Sequence, residues 1–264
     1  MAYFNIDFFS ASLMRNVGVQ VIIPNDQPGF MTADNPNYQR PVKTLYLFHG
    51  YTANGGEWVL NSHVNLLAGK YNLAVVMPNI ENSFYLNRPV TGQAYGTFVG
   101  KELPEYIRKT FGLSKDRADT FVGGDSMGGF GALHTALAYP DTFSKAALFS
   151  PALILHEVAK MQPGMQNAFG NYEYFHEVFG NPDALLTSDK NPEQQLRDLI
   201  ATGKELPAIF LTVGVEDFLY GMIQAFRDFM DKNKVAYTYE ESDGAHDFDF
   251  WNRHLEAAVR FLIK

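Results

Sequence analysis

The sequence predicts an α/β fold: a mostly parallel, doubly wound sheet with helices on both faces and an insertion over the strand ends. Three observations carry this expectation. Short, continuously apolar runs such as Lys43-Thr-Leu-Tyr-Leu-Phe48 and Leu73-Ala-Val-Val-Met-Pro78 read as strands buried on both sides. These runs alternate with segments whose apolar residues recur at helical spacing, the rhythm of βαβ units with right-handed crossovers. Between Thr120 and Ala132, an apolar strand runs directly into a glycine-flanked serine and then into a small-residue helix.

Taken in order, Ala2 to Phe9 and Asn16 to Pro24 read as an antiparallel pair of strands, because they alternate and only a short linker separates them. Asn25 to Pro41, rich in Pro, Asn, Asp and Gly, is a loop. The Lys43 strand stops at His49-Gly50. A helix from about Gly56 to Ala68 leads to the Leu73–Pro78 strand. After a loop from Glu81 to Gly96, helical spacing over Phe98 to Phe111 precedes the strand Thr120 to Val122 and a helix from Gly128 to Ala138. The strand Lys145 to Ser150 follows. Pro151 to Pro207 breaks the rhythm, with helical patches at Tyr172 to Val178 and Pro192 to Ala201; it reads as a cap-like insertion, not a second domain. The pattern resumes with the strand Ala208 to Val213, a helix from Tyr220 to Asn233, the strand Ala236 to Glu240 and a last helix from Phe250 to Ile263. One domain, residues 1–264, is the expectation.

Composition narrows the function classes. A net charge of −8, from 29 acids against 21 bases, opposes a nucleic-acid partner. Cysteine is absent, which excludes disulfides, thiolate metal sites and a cysteine nucleophile. Met1 to Ser10 has neither a basic start nor a continuous apolar run, and no stretch approaches membrane-spanning length. A cytoplasmic protein without a membrane partner is therefore expected; a leader already removed would leave no trace. Self-association is left open.

Gly124-Asp-Ser-Met-Gly128 matches G-x-S-x-G. A serine on a sharp strand-to-helix turn leaves no room for side chains two residues either side, and the helix N-terminus behind it favours a developing oxyanion. Such a serine needs a base, itself held by a third group, in the chain order Ser, acid, His at successive strand ends. Gly214-Val-Glu-Asp217 follows the Ala208–Val213 strand. Asp217 is preferred over Glu216 because its shorter side chain holds an imidazole more tightly; taken alone, it could equally cap the next helix. His246, in a glycine-containing loop before the last helix, suits the base. His63, His134, His156, His176 and His254 lie on predicted helices or in the insertion. His246-x-x-Asp249 is a weak metal pattern without a second nearby ligand. The backbone N–H groups of Tyr51 and Met127 are placed to form an oxyanion hole, with His49 fixing the loop. Phe84 and Tyr85, near that loop, are candidates for the acyl pocket, which insertion residues would floor.

Together, His49-Gly-Tyr-Thr-Ala53, Ser126-Met-Gly-Gly-Phe-Gly-Ala132, Gly214-Val-Glu-Asp217 and Gly244-Ala-His-Asp-Phe-Asp-Phe-Trp251 resemble the α/β-hydrolase "putative esterase" family, over nearly the whole chain from Thr44. That group includes esterase D, tributyrin esterases and feruloyl and acetyl-xylan esterases. The tributyrin-esterase-like bacterial branch is the most similar, through His49-Gly50-Tyr51 and Asn82-Ser-Phe-Tyr85. The resemblance implies an α/β-hydrolase fold and a serine carboxylesterase acting on small or short-chain acyl esters through an acyl-enzyme. Its triad would be Ser126, Asp217 and His246, with no metal or organic cofactor. A carbohydrate-directed acetyl or feruloyl esterase is the alternative, ahead of an S-formylglutathione hydrolase or an acyltransferase. Asp125 stands where esterase D-like chains carry His, and the oxyanion segment lacks their cysteine-bearing form; both departures weigh against formylglutathione.

Overall fold

A computed structural model describes residues 1–264. Eight strands form one sheet: β1 (Ala2–Ser10), β2 (Arg15–Ile23), β3 (Lys43–Phe48), β4 (Leu73–Pro78), β5 (Thr120–Asp125), β6 (Lys145–Phe149), β7 (Ala208–Gly214) and β8 (Tyr237–Ser242). Their spatial order is β1-β2-β4-β3-β5-β6-β7-β8. β1 pairs antiparallel with β2, and β2 antiparallel with β4. All other neighbours are parallel. This is the mostly parallel, doubly wound sheet expected from the apolar runs.

Alternation along the strands explains why those runs are continuously apolar. In β3, Tyr46 and Phe48 enter one hydrophobic core while Leu45 and Leu47 enter the other. In β4, Ala74 and Val76 face the first core, and Leu73, Val75 and Met77 the second. A period of two between two dry faces leaves no position for a polar residue.

Eight longer helices cover the sheet: α1 (Glu57–Asn61), α2 (Val64–Tyr71), α3 (Leu103–Phe111), α4 (Ser126–Ala138), α5 (Tyr172–Phe179), α6 (Pro192–Thr202), α7 (Tyr220–Lys232) and α8 (Phe248–Ile263). Leu67 of α2 joins Trp251 and Leu255 of α8 in one core; Phe130 of α4 and Phe226 of α7 lie in the other. Insertion residues Phe175, Phe179, Leu185 and Leu196 belong to the same core as Phe130 and Phe226, so the segment between β6 and β7 packs as part of the fold.

Two helices differ from expectation. The one predicted over Gly56 to Ala68 breaks at Ser62, whose backbone is extended (φ −129°) and whose hydroxyl accepts the Val64 N–H at 3.2 Å. A serine able to cap a new helix competes with continuing the old one. The helix predicted from Phe98 begins as a π-helical turn, Phe98–Glu102, just before Pro104. Proline lacks the N–H that regular pairing would require, and the widened turn accommodates it.

Candidate active site

β5 ends at Asp125, and α4 begins at Ser126 itself, two residues earlier than the sequence suggests. Ser126 has φ +52°, a left-handed conformation unusual for a non-glycine residue and of order 1–3 kcal/mol in strain. The flanking glycines make the turn physically possible. A Cβ on Gly124 would lie 2.6 Å from the Gly128 carbonyl, and one on Gly128 would lie 2.6 Å from the His49 carbonyl oxygen. Those obstacles are backbone and cannot swing aside.

The acid and base are brought together by the loops after β7 and β8. Val215 N–H donates to the Ser242 carbonyl (3.1 Å) and Glu216 N–H to the Gly244 carbonyl (3.0 Å), tying the loops edge to edge. A Cβ on Gly214 would sit 2.5 Å from the Gly244 carbonyl carbon, so this approach requires glycine. Asp217 Oδ2 lies 2.8 Å from His246 Nδ1, and Asp217 Oδ1 accepts the Leu219 N–H at 2.8 Å. Burial pushes the Asp217 carboxyl up, but the His246 ring, the Leu219 N–H and the Ser150 hydroxyl outweigh it and hold it below the usual carboxylate range. An ionised Asp217 only accepts, so Nδ1 of His246 carries the hydrogen and Nε2 is left as the basic nitrogen. Trp251 braces the imidazole edge-on, with ring centres 5.1 Å apart, and donates its own N–H to Ser150 Oγ at 3.0 Å. Glu216, beside Asp217, is exposed.

Ser126 opens into a small cavity walled by Tyr51, Phe84, Met127, Ile154, Phe169 and Phe218. Phe218 links the two halves of the site, because its ring centre is 4.6 Å from that of His246. Two residues that line the cavity with Ser126, Tyr51 and Met127, carry backbone N–H groups of interest. Tyr51 N–H has no acceptor within the chain. Met127 N–H is in the first turn of α4, where N–H groups lack intrahelical partners and Asp125 provides no side-chain cap. The Tyr51 peptide is oriented by His49, which is fully buried: Nδ1–H donates to the Gly50 carbonyl at 2.8 Å while Nε2 accepts the Ile80 N–H at 3.0 Å. Burial also pushes the His49 ring's affinity for a second proton down, so it is a neutral structural imidazole.

The insertion contributes Ala152, Ile154 and Phe169 to the cavity, with the Phe169 carbonyl accepting the Tyr51 hydroxyl at 2.8 Å. Phe84 is on the cavity wall. Tyr85 is not, and this corrects the sequence reading. Both residues have positive φ, at +52° and +59°, and the turn sends Tyr85 inward. There it is fully buried, stacked on Phe48 with ring centres 4.4 Å apart, and its hydroxyl donates to the His49 carbonyl at 3.0 Å. Sequence reasoning also missed Ser150 and Glu57; Ser150 at least carried a signal, being a polar residue at a strand's C-terminal end. No group of three or more His, Asp or Glu is placed to hold a metal ion. A serine, an imidazole paired with a carboxylate, and backbone N–H groups beside the serine's cavity are the groups that hydroxyl activation and oxyanion stabilisation require.

Comparison with known proteins supports this chemistry. The model of a family described as "Putative esterase" matches residues 10–262. An acetyl esterase from Caldicellulosiruptor saccharolyticus is 35% identical over 269 residues, covering 100% of this chain and 99% of the relative. Among solved structures, the fluorophosphonate-binding serine hydrolase F of Staphylococcus aureus superposes with a TM-score of 0.85 at 28% identity, covering 100% of this chain and 98% of the other. An S-formylglutathione hydrolase from Staphylococcus aureus gives 0.83 at 28% identity, covering 100% and 99%.

Proposed function

The chain belongs to the esterase family and is a carboxylic ester hydrolase of the serine type, and we propose that it removes acetyl and other very short acyl groups from small alcohols. The observation that carries this is the cavity over Ser126. It has a volume of about 40 Å³, and every lining residue but the serine is apolar or presents an aromatic ring. That is space for roughly three waters, the size of an acetyl group's three heavy atoms. The 35% identity to an acetyl esterase points the same way. A feruloyl group, with a ring and a side chain, exceeds the cavity.

In the proposed reaction, His246 Nε2 takes the Ser126 proton as Oγ attacks the ester carbonyl. The resulting oxyanion sits between the N–H groups of Tyr51 and Met127. His246 then returns the proton to the departing alcohol, and water repeats the sequence on the acyl-serine. Asp217 holds the imidazole in the required tautomer and offsets its transient charge.

The test is a comparison of p-nitrophenyl acetate, p-nitrophenyl butyrate and a feruloyl ester at matched concentration. The expected order of kcat/KM is acetate, then butyrate, with the feruloyl ester far behind. A feruloyl ester turned over as fast as acetate would overturn the assignment of acyl size.

A further inference from the structure

Glu57 has no part in the reaction just described, yet its side chain reaches the oxyanion loop. Gly50 N–H donates to Glu57 Oε2 at 2.8 Å. The Gly50 carbonyl is held by His49 Nδ1–H at 2.8 Å. In the trans peptide joining Gly50 to Tyr51, carbonyl and N–H point in opposite directions. The His49 contact therefore turns the Tyr51 N–H the other way, while the Glu57 contact fixes the peptide before it. With both planes pinned, Gly50 has little torsional freedom left.

We propose that Glu57 is a positioning residue for the oxyanion site, acting through the Gly50 N–H, with Asp125 packed against the same glycine. This rests on reading Ser126 as the nucleophile and the Tyr51 N–H as an oxyanion donor. A Cβ on Gly50 would lie 2.5 Å from Asp125 Oδ2 and 3.6 Å from Glu57 Oε2, so both carboxyls crowd the side of Gly50 where a side chain would stand. Asp125 is buried, and neither of its oxygens has a hydrogen-bond partner; the indole N–H of neighbouring Trp58 goes instead to the Phe48 carbonyl at 3.0 Å.

The two acids differ in surroundings. Burial, and then the charge of Glu57, pushes Asp125 well above the usual carboxylate range. Burial raises Glu57 too, but the Gly50 N–H and the nearby His246 oppose that rise. Asp125 is therefore the harder of the two to ionise. A carboxylate on Glu57 makes the Gly50 contact a charge-assisted hydrogen bond, roughly twice as strong as a neutral one. Glu57 lines no part of the cavity, so its effect reaches the substrate only through the loop.

The test uses the full chain with Glu57→Ala and Glu57→Gln, active sites counted with a fluorophosphonate and turnover measured on p-nitrophenyl acetate. Because one lost oxyanion donor lowers kcat by about 10²–10³-fold, a misaimed one in Glu57→Ala should lower it by roughly 10–100-fold, with KM within about threefold. Glu57→Gln keeps an oxygen for the Gly50 N–H and should recover most of that loss. Affinity for a phenylboronic acid, which forms a tetrahedral adduct on serine, should fall with kcat. Backbone hydrogen exchange of residues 49–53 should accelerate in Glu57→Ala and not in Glu57→Gln. Near-normal kcat in Glu57→Ala, equal impairment of both variants, or unchanged exchange would each overturn the proposal. Should the native chain fail to react with the fluorophosphonate, the Ser126 reading falls, while the exchange measurement still decides whether Glu57 holds the loop.

Discussion

Replacing Asp217 with Asn changes one atom type and leaves the fold its contacts, so the consequence can be worked from the geometry. Asp217 Oδ1 accepts the Leu219 N–H at 2.8 Å, and Oδ2 faces His246 Nδ1 at 2.8 Å. An asparagine keeps its carbonyl oxygen on the Leu219 N–H, because the reverse orientation would set donor against donor. Its NH₂ must then face His246. The imidazole answers by moving its hydrogen to Nε2, and the nitrogen that should deprotonate Ser126 has no lone pair to offer. The imidazolium formed in the reaction also loses its counter-charge, worth about 4 kcal/mol for a pair near 4 Å at an effective dielectric of 20. At 1.36 kcal/mol per tenfold that is about three powers of ten, and the wrong tautomer adds to it, for an expected fall in kcat of about 10³–10⁴-fold. Initial rates on p-nitrophenyl acetate, normalised to folded protein, measure this directly. The exposed Glu216→Gln is the control and should stay within about twofold, as surface substitutions do. An Asp217→Asn enzyme within tenfold of the native rate, or a Glu216→Gln loss of equal size, would refute the reasoning.

Three further outcomes follow from the same geometry. Phe169, 46% exposed, lies edge-on to Tyr51 and stacks on Phe218 with ring centres 5.8 Å apart; Phe169→Ala should raise the butyrate-to-acetate ratio of kcat/KM roughly tenfold, since two further methylenes bury about 0.8 kcal/mol each, and an unchanged ratio removes Phe169 from the acyl wall. Gly128→Ala places a methyl group against the His49 carbonyl; a loss of about 2 kcal/mol, or roughly 5 °C in Tm, is expected, and a native-like melting curve would contradict the close approach. Burial pushes His134 down from 6.5 to about 4, so the unfolded chain takes up a proton first as pH falls through that window. Stability from this group is complete above the unfolded value and declines below it. With the ring still partly in reach of solvent, about 1–2 kcal/mol should be lost by pH 4, measured by urea unfolding, and His134→Gln should flatten the slope between pH 6.5 and 5; an identical slope in the variant assigns the acid sensitivity elsewhere.

The parts of the site legible from sequence are those where backbone geometry restricts residue choice. Gly124 and Gly128 announce Ser126 because no side chain fits at either position, and the order of strands carries Asp217 and His246 to the same edge. What escaped reading depends on contacts between distant segments. Glu57 looks like an ordinary acid in a helix's first turn, and only the fold brings it to Gly50. Phe84 and Tyr85 are adjacent and chemically alike, yet consecutive positive φ values turn one to the cavity and bury the other. Ser62 splits a helix that hydrophobic periodicity alone would continue. Asp125 is conspicuous beside Ser126, but the burial and the nearby Glu57 that push its carboxyl well above the usual range are not revealed by spacing.

The central claim is that Ser126 is the nucleophile activated by His246, and covalent labelling tests it most directly. Intact mass measured after treatment with a fluorophosphonate should show one added phosphonyl group per native chain, mapped to the peptide containing Ser126, and none on Ser126→Ala. Equal labelling of the two proteins, or labelling at another residue, would contradict the account.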